Sequence, residues 1–124
     1  MTTMTPNTTL KLCGIIPEDA KDIRLGLGSN WKNMAFYMDV RFPTKDIVFN
    51  TRDMGKWGPP VIEPNPFNPG GTFEVTVDYT GHNFIVHING KEVTLPNRLN
   101  IHATYAIMVG GDLEITCFCV KPTH

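Results

Sequence analysis

Three side chains with hydrogen-bonding groups lie two residues apart in the stretch Met34–Phe42: Tyr37, Asp39 and Arg41. The residues between them are apolar. Because successive side chains of a β-strand point to opposite faces, this alternation predicts a half-buried strand with a phenol, a carboxylate and a guanidinium aligned on its outer face. Such a row can donate and accept hydrogen bonds along a polar ligand. A solvated strand face with one surface ion pair is the alternative interpretation.

A second run, Asp46–Asp53, alternates in the same way and follows after a short link, Pro43-Thr44-Lys45. The short link predicts a hairpin. If the two polar rows share a face, Asn50 and Arg52 join the first row, and Trp57 follows one short loop later. The earlier run Asp22–Gly28 is expected to lie beside the hairpin, with Asp22 and Arg24 near Tyr37.

The remaining chain consists of short alternating runs separated by turn signals, of which Asn89-Gly90 is the strongest because both residues accept a positive φ. Met54–Gly71 is rich in proline and glycine, which excludes a helix or a central strand there. No convincing helical period occurs. Roughly ten short strands indicate an all-β antiparallel sandwich. We expect one domain over residues 9–124, preceded by a flexible N-terminal tail over residues 1–8.

Composition narrows the function classes. With 124 residues and 41% hydrophobic content, the chain suits one folded domain rather than a disordered one. The net charge of −1 argues against nucleic-acid binding through bulk charge. No stretch approaches the about 20 apolar residues of a membrane helix, and the N-terminus does not resemble a signal peptide, so membrane insertion is not expected. The histidines and cysteines show no metal-ligand spacing, and we expect neither metal nor cofactor.

The chain has three cysteines, Cys13, Cys117 and Cys119. Cys117 and Cys119 are two apart in a strand-like run, where a mutual disulfide is geometrically awkward. The favoured interpretation is three reduced thiols, and a bond from Cys13 to one distant partner stays open.

Several ordered motifs resemble those of galectins over residues 10–120. They are the strand Phe36–Phe42, Ile47-Val48-Phe49-Asn50-Thr51, Lys56-Trp57-Gly58, Pro66-Phe67-Asn68-Pro69-Gly70, Pro96-Asn97-Arg98-Leu99 and Gly110-Gly111-Asp112-Leu113. The resemblance implies a two-sheet antiparallel jelly-roll sandwich, similar to the galectin and concanavalin A folds. It also implies a groove for β-galactosides on one sheet, in which the matching residues are Arg41, Asn50 and Trp57.

Four positions depart from the galectin sugar-binding pattern. Tyr37 stands in place of the histidine and Asp39 in place of an asparagine, while Pro60 and Ile62 replace a glutamate and an arginine. Glu63 could serve instead of the lost glutamate if the loop is shifted. Asp39 is expected to pair with Arg41 or Arg52, or to accept hydroxyl protons itself. Loss of several hydrogen-bonding groups predicts weak or absent lactose binding.

The resemblance leads to one preferred function and one alternative. The preferred function is a non-enzymatic lectin of altered specificity that binds a glycan or glycoconjugate through Tyr37, Asp39, Arg41, Asn50, Arg52, Trp57 and Glu63. The alternative is a galectin-fold structural or protein-interaction module without sugar binding. As in many galectins, a non-covalent homodimer and a cytoplasmic protein exported without a signal peptide are implied. A glycosidase pair of Asp39 and Glu63 is disfavoured, because no carboxylate has a sequence reason for a raised pKa.

Overall fold

The structure, a computed structural model, describes residues 3–123, which form eleven β-strands and no helix. The strands are β1 (Thr8–Ile15), β2 (Asp22–Asn30), β3 (Asn33–Arg41), β4 (Asp46–Asp53), β5 (Lys56–Trp57), β6 (Val61–Pro64), β7 (Thr72–Tyr79), β8 (Asn83–Ile88), β9 (Lys91–Pro96), β10 (Ala106–Gly111) and β11 (Glu114–Pro122). Within this described range, nothing helical offers a long apolar segment able to span a bilayer.

The strands form two antiparallel sheets packed face to face. One sheet has the order β11-β1-β7-β8-β9; the other has β10-β2-β3-β4-β5, with β6 pairing the same edge of β4. Alternate residues of β3, such as Phe36 and Met38, are fully buried between the sheets. Phe36 reaches Phe84 of the opposite sheet with ring centroids 5.5 Å apart. The predicted all-β jelly-roll sandwich is confirmed, and the polar residues of β3 lie on the outer face of the six-stranded sheet.

The proline- and glycine-rich section contributes only the short edge strands β5 and β6. Both pair with β4, so this section extends the sheet beside the predicted polar row. Proline is tolerated there because an edge strand leaves one side of its backbone unpaired.

The flexible tail predicted for residues 1–8 differs from the structure over the part that is described. Met4 is 0% exposed and exchanges two backbone hydrogen bonds with Thr104, and β1 already begins at Thr8. Ordering this segment costs chain entropy, and burial of the methionine side chain offsets that cost. Residues 1 and 2 lie outside the described range.

The favoured expectation of three reduced thiols is wrong, because Cys13 and Cys117 form a disulfide. They are register partners on the neighbouring strands β1 and β11, with Cα atoms 4.8 Å apart. That separation lies in the range a disulfide requires. Cys119 is the free cysteine.

Candidate functional site

The β3–β4 hairpin places the predicted polar row on one surface. Tyr37 pairs in register with Asn50, and Arg41 with Asp46. Directly opposed residues of an antiparallel pair share a face of the sheet, so the side chains of both strands project outward together. Trp57 pairs with Arg52 across β4 and β5 and extends this surface to the sheet edge. The hairpin and the shared face of these side chains match the sequence prediction.

Trp57 presents a large exposed side chain on this surface, with 46% of its area accessible. Its ring lies 4.6 Å from the ring of Tyr37 at a tilt of 54°. The Arg52 guanidinium carbon lies 4.8 Å from the indole centroid. Tyr37 and Arg52 therefore hold the indole in place while leaving part of it open to a ligand.

Arg41 is held by Asp46 rather than by Asp39. Its Nε donates to Oδ1 of Asp46 at 2.9 Å, and its Nη2 donates to Oδ2 at 2.7 Å. Hydrogen bonds from Arg41 and from Thr44 lower the pKa of Asp46 to about 2. The expected pairing of Asp39 with Arg41 or Arg52 is wrong, because Asp46 lies opposite Arg41 across the hairpin and presents both carboxylate oxygens to its fork.

Asp39 occupies a half-buried position without an ion-pair partner in the described part of the chain. Its Oδ1 is buried and makes no hydrogen bond there. Burial, followed by the neighbouring carboxyl of Asp22, raises the pKa of Asp39 to about 7. No reason for a raised carboxyl pKa was found in the sequence, and the structure corrects this at Asp39. The available signal was that Asp22 and Asp39 were both predicted on the outer face of adjacent strands.

Asn50 is 5% exposed and mainly orders the loop that carries Trp57. Its Nδ2 donates to the Gly58 carbonyl at 2.9 Å, and its Oδ1 accepts from the Thr51 backbone N–H at 2.7 Å. Nη1 of Arg98 also donates to Oδ1, at 3.2 Å.

Glu63 does not join the polar surface. It pairs in register with Ile47, whose side chain is in the core, so Glu63 projects toward the opposite face of the sheet. Its Oε1 lies 2.7 Å from Nζ of Lys91. The outer face carries Ile62 instead, 56% exposed and paired with Val48. The shifted loop that would let Glu63 serve the site is absent because β6 keeps this register over residues 61–64.

A cleft of about 370 Å³ crosses the outer face from β5 toward β10. Its walls include Arg24, Trp31, Met34, Tyr37, Arg52 and Trp57. The β2–β3 pairing brings Arg24 to this face, as predicted, whereas Met34 and Trp31 were not assigned to the site. A Cβ on Gly26 would lie 2.5 Å from Sδ of Met34, so the glycine is what lets this methionine lie across the sheet.

A larger cleft of about 520 Å³ lies on the other sheet, beside Glu74, Thr76 and His87. It contains neither tryptophan nor arginine. The chemistry of the lining residues, rather than the volume, identifies the smaller cleft as the candidate site.

Comparison with known proteins agrees with this architecture. A profile described as galactoside-binding lectin matches residues 1–120. The chain is 34% identical over 118 residues to Galectin-1 of Mus musculus, covering 90% of this chain and 87% of that protein. It is 32% identical over 121 residues to Galectin-2 of Homo sapiens, covering 95% and 91%. The crystal structure of chicken Galectin 2 superposes with a TM-score of 0.90 at 27% identity, covering 98% of both chains. The chain belongs to the galectin family of galactoside-binding lectins.

Proposed function

We propose that this protein is a glycan-binding lectin whose outer-face site has a specificity altered from lactose. The observation that carries the proposal is the half-exposed indole of Trp57 on the same sheet face as Tyr37 and Arg41. A sugar ring offers one apolar face and a rim of hydroxyls. An aromatic plane contacts the apolar face, and the guanidinium N–H groups of Arg41 that Asp46 does not use can donate to the hydroxyls.

The altered specificity rests on the residues that depart from the galectin pattern. The Tyr37 ring takes up space beside Trp57, where a smaller imidazole is expected. Ile62 places an apolar group on the outer face, while the nearest acidic candidate, Glu63, is turned toward Lys91. Each lost hydrogen bond removes about 0.5–1.5 kcal/mol, so the sum is enough to abolish a weak lactose interaction.

A glycan array combined with a lactose titration tests the proposal. We expect binding to some array glycans and a lactose dissociation constant weaker than millimolar. Trp57→Ala should weaken the affinity for the glycan that binds best on the array by roughly tenfold, because stacking on the indole is lost. Phe118→Ala is the matched control, since Phe118 is similarly exposed at 42% but lies on β11 of the other sheet. Lactose affinity of millimolar or better at this face would refute altered specificity.

The alternative function, a structural or protein-interaction module, is favoured by one observation. Asn50 and Arg41 direct most of their hydrogen bonds to the protein itself, through Gly58, Arg98 and Asp46. An array on which no glycan binds above background would select this alternative. In that case Trp57→Ala and Arg41→Ala would change only the unfolding midpoint.

The glycosidase pair of Asp39 and Glu63 has no support from the geometry. Asp39 lies on the outer face of β3, and Glu63 projects from the other face of the same sheet. Two carboxyl groups must flank one glycosidic bond to cleave it, which this arrangement does not allow. At the level of the family, galectins are lectins.

Assembly and location complete the proposal. CG-16, a homodimeric agglutinin from chicken liver, has this fold, with a TM-score of 0.88 at 22% identity. We propose a non-covalent homodimer here too, which sedimentation equilibrium would test. The cytoplasmic location with export stays a prediction. The Cys13–Cys117 disulfide supports export to the extracellular space, since disulfides persist in oxidising compartments.

A further inference from the structure

In the five-stranded sheet, β8 pairs with only one half of β7. Their register covers residues 76–79 of β7 and stops there, because the chain turns at Asn89-Gly90 into β9. β7 itself begins at Thr72 and pairs with β1 along its whole length. In the described part of the chain, residues 72–75 therefore have a neighbouring strand on one side alone. The larger cleft, of about 520 Å³, lies on the other side.

The backbone of β7 directs particular groups into this cleft. In a strand, the N–H and C=O groups of successive residues point alternately to the two neighbouring strands. The carbonyl of Gly71 accepts a hydrogen bond from the segment that follows β1, so odd-numbered residues face β1. The N–H of Thr80 donates to the Asn83 carbonyl of β8 at 3.0 Å, so even-numbered residues face β8. Thr72 and Glu74, which lie beyond the end of β8, thus direct their backbone groups into the cleft.

These backbone groups form an unfilled piece of a β-ladder. Over residues 3–123, the N–H and C=O groups of Thr72 and Glu74 have no hydrogen-bond partner across the cleft. They offer two donors and two acceptors at the spacing that an antiparallel strand requires. An unpaired edge of this kind is a template for another extended chain, and peptide recognition by strand addition uses it.

The walls of the cleft indicate which side chains such a chain would carry. On the core side, the partly buried ring of Phe67 lies 4.6 Å from the ring of Phe73 and offers an apolar contact. Among the described residues that line the cleft, Glu74 has the sole carboxylate, and no lysine or arginine is present. Nζ of Lys11 is 4.0 Å from Oε1 of Glu74, with both side chains largely exposed, so this pair is weak. The Glu74 carboxylate is therefore complementary to a basic side chain of a ligand.

We propose that this cleft binds an extended peptide segment of a partner protein, which adds as a short strand to β7. The peptide backbone forms hydrogen bonds with Thr72 and Glu74, and a lysine or arginine of the peptide pairs with the Glu74 carboxylate. The neighbouring peptide side chain points inward and contacts Phe67, because side chains alternate between faces. The cleft volume is in the range of binding sites. The site is independent of glycan binding, since Trp57 lies on the other sheet.

Hydrogen exchange of the free protein, followed by NMR, gives a first test without any ligand. The amides of Thr72 and Glu74 should exchange at least about tenfold faster than those of Thr76 and Asp78, after correction for intrinsic rates, because the latter face β8. Equal protection of the four amides would show that the edge is already paired and would overturn the proposal.

Peptide selection gives the second test. Linear heptapeptides displayed on phage are selected against the whole protein, and enriched sequences are synthesised for fluorescence polarisation. We expect a lysine or arginine flanked by β-branched residues, and dissociation constants on the order of micromolar. Bound peptide should slow exchange of the Thr72 and Glu74 amides by about tenfold or more. N-methylation should weaken binding at every second peptide amide, because only alternate amides face β7.

Glu74→Gln should weaken the selected peptides by roughly three- to fivefold, the usual size of a cross-strand charge pair. Glu92→Gln is the matched control: its side chain is 66% exposed against 65% for Glu74, and it lies on the same sheet face outside the cleft. Glu92→Gln and Trp57→Ala should both leave the peptide affinity unchanged. Thermal unfolding of each variant reports whether it is folded.

Several results would overturn the inference. One is the absence of any peptide enriched over an unrelated control protein, and another is an N-methylation profile without alternation. Loss of peptide binding in folded Trp57→Ala would place the peptide on the other sheet. Slowed exchange at Thr72 and Glu74 with lactose, but with no selected peptide, would make the cleft a saccharide site instead. Failure of the peptide proposal leaves the glycan array result, and with it the proposed function, unaffected.

Discussion

Asp39 lies on the outer face of β3, facing Arg24 on β2 and close to Asp22. Its half-buried carboxyl group is easier to protonate than a solvated one, because burial penalises the charged form. The same surface holds Asp46 with a pKa lowered to about 2 through its bonds from Arg41 and Thr44. The two aspartates thus differ in pKa because burial raises that of Asp39, whereas hydrogen bonds from Arg41 and Thr44 lower that of Asp46.

Asp39 should make the stability of the fold decrease as the pH rises from about 4 to about 7. The pKa of an unfolded aspartate is about 3.9, and in the folded protein it is about 7. Between these values the folded state binds more protons than the unfolded state, so the free energy of unfolding falls with increasing pH. Asp39→Asn should flatten this part of the profile, as measured by urea unfolding at several pH values.

Asp53→Asn is the matched control for this experiment, since Asp53 is exposed at the end of β4. Its profile should follow that of the unmodified protein. A profile for Asp39→Asn with the same slope between pH 4 and 7 would contradict the assigned environment of Asp39.

At the scale of the elements, the strands and the shared face of the β3–β4 hairpin were predictable from residue alternation. One buried face imposes a period of two on the sequence, and Phe36, Met38 and Val40 show it directly. The face occupied by Glu63 was not predictable, because it depends on the register of β6 against β4, and a one-residue shift reverses every side chain. The pKa of Asp39 likewise depends on which carboxyl group the β2–β3 register brings near it.

The turn between β8 and β9 needs left-handed backbone at both of its residues. Asn89 has a φ of 50° and Gly90 a φ of 80°, as the Asn-Gly pair predicts. Gly90→Ala should lower the free energy of unfolding by about 1–2 kcal/mol, because a Cβ is strained in this region. Nothing lies within 4 Å of the added Cβ, so a clash does not contribute. Urea unfolding measures the change.

Asn89→Gly is the companion variant for the turn, because glycine accepts the same positive φ without strain. It should be nearly as stable as the unmodified protein, apart from a small entropic cost. Equal stability of Gly90→Ala and the unmodified protein would contradict the assigned turn.

The disulfide fixes the edge strand β11 to β1 across a sequence separation of 104 residues. Replacing Cys13 and Cys117 together with serine should lower the free energy of unfolding by about 2–5 kcal/mol, because the unfolded chain loses its cross-link. Cys119→Ser, on the same strand, should change it by less than about 0.5 kcal/mol. Urea unfolding with and without reductant measures both effects. A reductant that leaves the midpoint of the unmodified protein unchanged would contradict the bond.

At the scale of the whole molecule, the chain crosses between the two sheets in connecting segments. The backbone and the core need hydrogen-bonding and packing partners at these crossings. Thr104 lies in the connection from β9, in one sheet, to β10, in the other. Met4 pairs with Thr104 through two backbone hydrogen bonds of 3.1 and 2.9 Å, and its side chain belongs to the main core. The segment before β1 therefore completes the sandwich instead of trailing from it.

Met4→Ala should consequently lower the free energy of unfolding by about 2–5 kcal/mol, the usual cost of truncating a fully buried methionine. Thr5→Ala, at the exposed neighbouring position, should change it by less than about 0.5 kcal/mol. Because Met4 does not line the cleft beside Trp57, both variants should keep the affinity of the unmodified protein for any array glycan at temperatures where they are folded. If Met4→Ala unfolds at the same urea concentration as Thr5→Ala, the N-terminal segment contributes no buried contact and the tail interpretation is restored.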